Sequence, residues 1–308
     1  MSPYDELIGE LHAAVAAGST PAIEHIVKKL EPLAIGLRQK IPVVSAGARL
    51  FRVRKMEAMP LTVVEVGAPP LGVAPIGRLN EAGRSILYLA DSPDTAFSEA
   101  RATAGRYCLS EWWVQQPKVA LANGGIHIDL LRAHFPSDLD PPGAVMPAGR
   151  EDEQVLALFG ELFTLPATQN SNLYRWSIAC GLANGFAALC GRTVTETVDG
   201  NTMFNGRYPL AGIAYPSVRK DKQAINFAFN DLGTTYLRLH NVQWVEKQSD
   251  GFFSGIDISS SWAADGRLLW QGRPAHYQLQ SGESARLVKV AENVWHYEPL
   301  NGDIPLFA

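Results

Sequence analysis

The chain has 308 residues, 46% of them hydrophobic and 19% charged, which is enough apolar side chain to bury a core and excludes a disordered tail. Its 27 basic side chains against 31 acidic ones give a net charge of −4, whereas a protein that grips nucleic acid through its phosphates carries a basic surplus. Three cysteines (Cys108, Cys180 and Cys190) with no CxxC pair exclude a disulfide framework.

The first residues, MSPYDELIGE, lack the basic and apolar regions of a signal peptide. The longest apolar stretch, Ser177 to Gly191, is broken by Asn184 and is too short to span a bilayer. The expectation is a cytoplasmic protein with neither a membrane nor a nucleic acid as partner.

Residues 1–40 read as two short helices. Ser2-Pro3 and Thr20-Pro21 each give an N-cap followed by a proline in the first turn. Leu7, Ile8, Leu11 and Val15, and then Ile23, Ile26, Val27 and Leu30, fall at helical spacing. Arg49 to Val53 and Ile86 to Leu89 are strand-like, and between them lies a loop rich in proline and glycine. Ser92-Pro93-Asp94 starts a helix that is expected to run through Phe97 and Ala100 to about Gly105. A variable middle follows, with a loop near Pro136 to Gly149 and helical stretches at Asp152–Phe163 and Asn172–Leu189. Strands are expected at Val194 to Val198, Leu210 to Tyr215 and Ala224 to Phe229. From about Val242 the chain reads as mostly β, at Phe252 to Ile258, Arg267 to Trp270 and Ala285 to Trp295, with Asp265-Gly266 as a hairpin signal. Strands and helices are mixed without regular alternation, which gives an α+β class.

The common fingerprints are absent: no GxGxxG after a strand, no GxxxxGK[ST], no HExxH and no GxSxG. The seven histidines show no metal-ligand spacing, and the lone His127-x-Asp129 reads as a surface pair. No metal is expected.

One ordered series stands out. It runs Leu50-Phe51-Arg52-Val53, Gly77-Arg78-Leu79-Asn80 with Gly83, Leu87-Tyr88-Leu89-Ala90, then Asp94 to Glu99. Far downstream come Gly212 to Arg219 (GIAYPSVR) and Asn226-Phe227-Ala228. Together these segments resemble the RES domain, a family named for its Arg, Glu and Ser residues, over roughly Arg49 to Leu232. The resemblance implies an ADP-ribosyltransferase-like split β core, akin to enzymes of the diphtheria-toxin type. The family is known mostly as NAD⁺-consuming toxins of bacterial toxin–antitoxin pairs. The layout expected from it is an N-terminal helical extension (1–45), a RES-like NAD-binding catalytic domain (46–240) and a β-rich C-terminal extension (241–308).

Each position also has a bland reading. Arg52, inside an apolar strand, is costly unless paired, and taken alone it reads as a strand-edge ion pair. Arg78 lies in a Gly-Arg-x-Asn turn, where exposed arginines are common. As a pair, two guanidinium forks suit a pyrophosphate. Gly77 would let the backbone approach a ligand, and Asn80 would fix the turn. Tyr88 faces opposite to Leu87 and Leu89 and is by default a core tyrosine; the resemblance makes it a stacking surface for the nicotinamide ring or an adjacent ribose. Glu99 has no basic i,i+4 partner, because position 103 is Thr; it is either half-exposed or aimed at a cavity. Ser217, just after a strand, caps a turn in isolation, and the resemblance moves it to the active site.

The implied roles are catalytic for Glu99, Arg52 and Ser217, and substrate-binding for Arg78, Tyr88, Asn80 and Gly77. The implied reaction cleaves the nicotinamide–ribose bond of NAD⁺ by hydrolysis or phosphorolysis, with NAD⁺ as a consumed substrate and no bound cofactor. The alternatives are mono-ADP-ribosylation of a protein and a catalytically silent binding module on the same fold. The implied partner is an antitoxin or immunity protein. The oligomeric state is not legible in the sequence.

Overall fold

In the computed structural model, the residues described are 43–75, 79–80, 83–126, 193–198, 201–207, 211–220, 223–249, 253–272, 277–278, 284–291 and 294–299, with scattered positions between 6 and 29 and at 130, 154, 157 and 160. Strands β1 (Val43–Ser45) and β2 (Arg49–Lys55) come first, then the one-turn helix α1 (Val63–Val66), β3 (Leu87–Ala90) and α2 (Pro93–Glu99). They are followed by β4 (Gly105–Val114), β5 (Lys118–Ala120), β6 (Ala122–Asn123), β7 (Thr193–Val198), β8 (Asn201–Arg207), β9 (Gly212–Pro216) and a 3-10 turn at Val218–Lys220. The last elements are β10 (Ile225–Phe229), α3 (Asp231–Thr234), β11 (Leu237–Lys247), β12 (Phe253–Ser259), β13 (Tyr277–Gln278), β14 (Ser284–Ala291) and β15 (Val294–Pro299). The class is α+β. No helix among the described residues is long and apolar enough to cross a membrane.

The chain divides into two compact units. The first comprises Met1–Ala48, Ala68–Asp91 and Val114–Leu237, and the second Arg49–Gly67, Ser92–Trp113 and Arg238–Ala308.

In the first unit the strand order is β3-β10-β9-β6, antiparallel except for the parallel β6–β9 pair. The reason is written in β10, Ile-Asn-Phe-Ala-Phe. Its period-2 alternation puts Ile225, Phe227 and Phe229 on one face, where they meet Leu87 and Leu89 of β3 on one side and the small Gly212 and Ala214 of β9 on the other. Phe227 and Phe229 stack at 6.2 Å, and β9 and β10 are buried along their whole length. Gly212 has a physical reason to be glycine: a Cβ there would stand 2.0 Å from the carbonyl oxygen of Ala228.

In the second unit the order is β12-β11-β4-β2. Residues of β2 and β4 alternate between two faces through the register Leu50↔Trp112, Arg52↔Ser110 and Arg54↔Cys108 on one side, and Phe51↔Glu111 and Lys55↔Tyr107 on the other. The first of these faces meets Val66 of α1 in a cluster with Cys108, Leu239, Val242, Trp244 and Leu268. Burial pushes the Cys108 thiol up to about 12, against the pull of the Arg54 and Arg52 charges, so it sits in the core as a neutral group.

Several sequence expectations shift. The helix after Ser92 does have its Ser92 N-cap, whose hydroxyl accepts from Thr95 N at 3.1 Å, but it stops at Glu99 rather than near Gly105. Arg101 turns into the left-handed region (φ 50), Ala102 N donates back to Phe97 O, and the Tyr107 hydroxyl clamps Thr103 from both its N–H and its C=O. The ten residues Gly105–Val114, assigned to a variable middle, form a strand; Glu111 and Ser110 in its centre hide the alternation. The proline- and glycine-rich loop contains α1. Arg267 to Trp270 makes two isolated bridges instead of a strand, around a turn that Ala263 N→Arg267 O closes at Gly266 (φ 81). Ala285 to Trp295 resolves into two paired strands, β14 and β15.

Of the segment 1–40, the described positions 6–7, 9–10, 13, 25 and 29 are helical, and so are 154, 157 and 160 within Asp152–Phe163. The stretch 172–189, the His127-x-Asp129 pair, Gly77 and Arg78 lie outside the described residues.

Candidate active site

The first unit carries Asn80, Tyr88 and Ser217. Tyr88 projects from β3 on the face opposite Leu87 and Leu89. Its hydroxyl accepts from Leu79 N at 2.9 Å and donates to Asn80 Oδ1 at 2.8 Å, while Asn80 Nδ2 donates to Pro75 O at 2.8 Å. Asn80 is buried, so these bonds tie Pro75, Leu79 and Asn80 to one another and to the Tyr88 hydroxyl.

The ladder register then defines what else shares the Tyr88 face. Tyr88 pairs with Ala228, which pairs with Ile213; Ala90 pairs with Asn226, which pairs with Tyr215. The pairing continues one step beyond β9, where Ser217 N donates to Ala224 O at 2.8 Å. Cross-strand partners point to the same side. Tyr88, Asn226, Tyr215 and Ser217 therefore lie on one face, with Ala90, Ile213, Ala224 and Ala228 among them. Ser217 is fully buried at 0% exposure, and its hydroxyl accepts from Arg219 N at 3.3 Å, holding the turn that leaves β9.

The second unit carries Arg52 and Glu99. One guanidinium N–H of Arg52 donates to Gly67 O at 2.6 Å, and Arg54 does the same to Glu65 O at 2.5 Å. Two cations thus sit at the C-terminal end of α1, where carbonyls lack helical partners. The register sets Arg52 on the α1 side of the β2–β4 ladder.

Glu99 is the last residue of α2 and is half-buried. The helix is pinned by Phe97, which meets the Tyr107 ring edge-on at 5.8 Å and the Phe253 ring at 4.0 Å. At 100° per residue, Glu99 lies about 200° around the helix from Phe97, away from that contact. Tyr107 belongs to the ladder face opposite Arg52.

The structure therefore brings together Asn80 and Tyr88 by a direct hydrogen bond, and Tyr88 and Ser217 by a shared face. Arg52 and Glu99 stand on different elements of the other unit.

Two polar groups escaped the sequence reading. Asn226, 3% exposed, belongs to the ordered series but was given no role; an amide in the middle of Ile-Asn-Phe-Ala-Phe was the available signal. Glu111, 1% exposed, carried no sequence signal beyond a carboxylate between apolar residues. Its Oε1 accepts from Arg49 Nε at 2.6 Å and Trp113 Nε1 at 2.7 Å, and its Oε2 from Asn241 Nδ2 at 2.7 Å. Gln243 donates in turn to Asn241. Burial by itself pushes the Glu111 carboxyl up, but the bonds from Arg49 and Trp113, the Arg49 charge and the Asn241 amide together hold it below the ordinary carboxylate value.

Among the described residues, no group of three or more His, Cys, Asp or Glu side chains is arranged to hold a metal ion. Compared with known proteins, the chain matches no sequence-family profile and no curated protein. Among solved structures it is similar to the MbcT–MbcA toxin–antitoxin complex of M. tuberculosis, at 12% identity and a TM-score of 0.33, over 69% of this chain and 90% of that one. A likeness at that score does not establish a shared fold.

Proposed function

We propose that this chain cleaves the nicotinamide–ribose bond of NAD⁺ and consumes the dinucleotide as substrate. The observation that carries the reading is that members of one ordered residue series, Tyr88, Asn226, Tyr215 and Ser217, lie on the same sheet face, with Ala90, Ile213, Ala224 and Ala228 among them.

The bond breaks through an oxocarbenium-like state, as glycosidic bonds do. In this reading Glu99 accepts a hydrogen bond from a ribose hydroxyl and stabilises the positive charge that develops at C1′. Arg52 and Arg78 hold the pyrophosphate through bidentate guanidinium contacts, and Gly77 admits the backbone close to it. The Tyr88 ring, immobilised by its hydroxyl bonds to Leu79 and Asn80, offers a stacking surface that needs no reordering on binding. Ser217 positions the ribose or the carboxamide. Neutral nicotinamide departs, and C1′ is taken by water, giving ADP-ribose and a proton, or by inorganic phosphate.

Purified protein incubated with NAD⁺, with and without phosphate, is followed by mass spectrometry. Free nicotinamide with ADP-ribose indicates hydrolysis, and a phosphorylated ADP-ribose indicates phosphorolysis. ADP-ribose appearing only on an added protein indicates transfer. Absence of nicotinamide under all three conditions leaves a binding module and overturns the proposal. An active NAD⁺ consumer also halts bacterial growth on expression unless a neutralising partner is supplied.

A further inference from the structure

We infer that Lys247 of β11 and Phe253 of β12 are positioning residues for Glu99, fixing where α2 ends and so where its carboxylate stands; the inference rests on the NAD⁺ reading above. Both fall within 241–308, outside the stretch that resembles a known family. Both belong to the same compact unit as α2. α2 has seven residues, and a helix of about two turns has little stability of its own. The position of its end is therefore set by what holds it.

The backbone after Glu99 needs such support. Arg101 is in the left-handed region at φ 50, which is costly for a residue with a Cβ, and Ala102 N donates back to Phe97 O at 3.1 Å. Side chains from two strands meet the groups that follow. The Tyr107 hydroxyl of β4 takes both the N–H and the C=O of Thr103. Lys247 Nζ donates to Ala102 O at 2.7 Å and lies 5.2 Å from the centre of the Phe253 ring. The ammonium thus serves a carbonyl just past a helix C-terminus while resting over an aromatic face. Lys247 and Phe253 stand directly opposite each other in the β11–β12 ladder, so they point to the same side. There the Phe253 ring meets Phe97 of α2 at 4.0 Å, and Tyr107 meets Phe97 edge-on at 5.8 Å. Tyr107 by itself, and Lys247 with Phe253 as a pair, each supply a ring against Phe97 and a polar group on residues 102–103.

Glu99 lies between the two fastenings, two residues after Phe97 and three before Ala102. Releasing Ala102 O removes one of the bonds that keep Arg101 left-handed. The last turn of α2 then frays, and Glu99, its final residue, loses a fixed direction. A carboxylate that stabilises charge at C1′ has to be in place before the bond breaks, and a misplacement of about 1 Å costs up to roughly 100-fold in rate. The groups assigned to the pyrophosphate and the ring lie elsewhere in the chain, so the loss falls on kcat and not on KM.

The test follows nicotinamide release and amide hydrogen exchange in wild type, Lys247→Met, Lys247→Arg and Phe253→Leu. Methionine keeps most of the stem and removes the donor and its charge. Lys247→Met is expected to lower kcat by roughly 10-fold and to leave KM for NAD⁺ within about twofold. In the same variant the amides of residues 97–104 are expected to exchange roughly 10-fold faster, with those of β10 unchanged. Lys247→Arg keeps a cationic donor and is expected to return both readings towards wild type. Phe253→Leu takes the ring away from both Phe97 and the ammonium, and is expected to move both readings in the direction of Lys247→Met. Unchanged exchange at 97–104 overturns the assignment, as does faster exchange with an unchanged kcat. A loss of kcat that arginine does not restore, or one matched by an equal rise in KM, marks a merely structural role and overturns it too. A Phe253→Leu protein that behaves as wild type removes Phe253 from the pair. Wild type that releases no nicotinamide sinks the NAD⁺ reading; unchanged exchange in Lys247→Met then sinks the clamp as well, and faster exchange leaves it standing.

Discussion

Both units bury polar side chains in their sheets, yet the surroundings differ. Around Glu111 the polar atoms are enclosed by large neighbours: Trp113 and Arg49 bond to one oxygen, Asn241 to the other, and Phe51 stands opposite across the ladder. Trp113 is in turn stacked on His240 at 3.9 Å. Around Asn226 the neighbours on the same face are Ala90, Ala224 and Ala228, with Tyr215 across the ladder. The contrast teaches that buried polarity alone does not mark a functional site. The Glu111 network ties strands together through charge and amide bonds, whereas the Asn226 row packs its polar groups beside small side chains.

Four substitutions break or sharpen that contrast. The largest effect is expected for Gly212→Ala. The new methyl meets Ala228 O in a ladder that has no room to move, and a loss of about 3 kcal/mol or more follows. Urea denaturation reads it as a fall in midpoint, and an unchanged midpoint would mean that β9 does not pair with β10 in this register.

Glu111→Ala comes next, at about 2 kcal/mol, because the Trp113 and Asn241 N–H groups lose their acceptor. The same site makes a pH prediction. The folded Glu111 carboxyl is held below its ordinary value, so the stability it adds is present above the unfolded value of about 4.3 and is lost as pH falls through the depressed folded value. Melting curves of wild type and Glu111→Gln should therefore converge on acidification. A gap that is constant down to acid pH contradicts the assigned network.

The smallest effect, with the opposite sign, is expected at Arg101, a non-glycine residue in the left-handed region at the end of α2. Arg101→Gly relieves that backbone and should raise stability by about 0.5 kcal/mol, visible as a small rise in Tm. A fall in Tm would show that the guanidinium contributes more than the strain removes.

Much of the fold was legible where a single rule governed a segment. Ile-Asn-Phe-Ala-Phe and Leu-Tyr-Leu-Ala read directly as strands, and Ser92-Pro93 marked the start of α2 because capping chemistry is local. The end of α2 was not legible, since it depends on Arg101 adopting a conformation that its sequence does not favour and on a clamp from Tyr107. β4 was missed because Ser110 and Glu111 look like loop residues until the partners Arg49 and Asn241, far away in sequence, are brought to them. At the candidate site, Asn80 and Tyr88 were singled out one by one, but their mutual hydrogen bond is a property of the folded loop. That Arg52 bonds the carbonyl of Gly67, the C-cap of α1, follows from a helix hidden inside a proline-rich stretch. That Asn226 shares a face with Tyr88, Tyr215 and Ser217 is a property of the ladder register, which joins segments far apart in sequence.

The most direct test of NAD⁺ cleavage is a time course of nicotinamide release by wild type and by Glu99→Gln, a change that keeps the shape of the side chain and removes its charge. Wild type should release nicotinamide steadily, and the variant, with an unchanged Tm, should be slower by roughly 100-fold or more, as expected when one electrostatic group of the transition state is lost. Equal rates for the two proteins, or no release from either, would contradict the account.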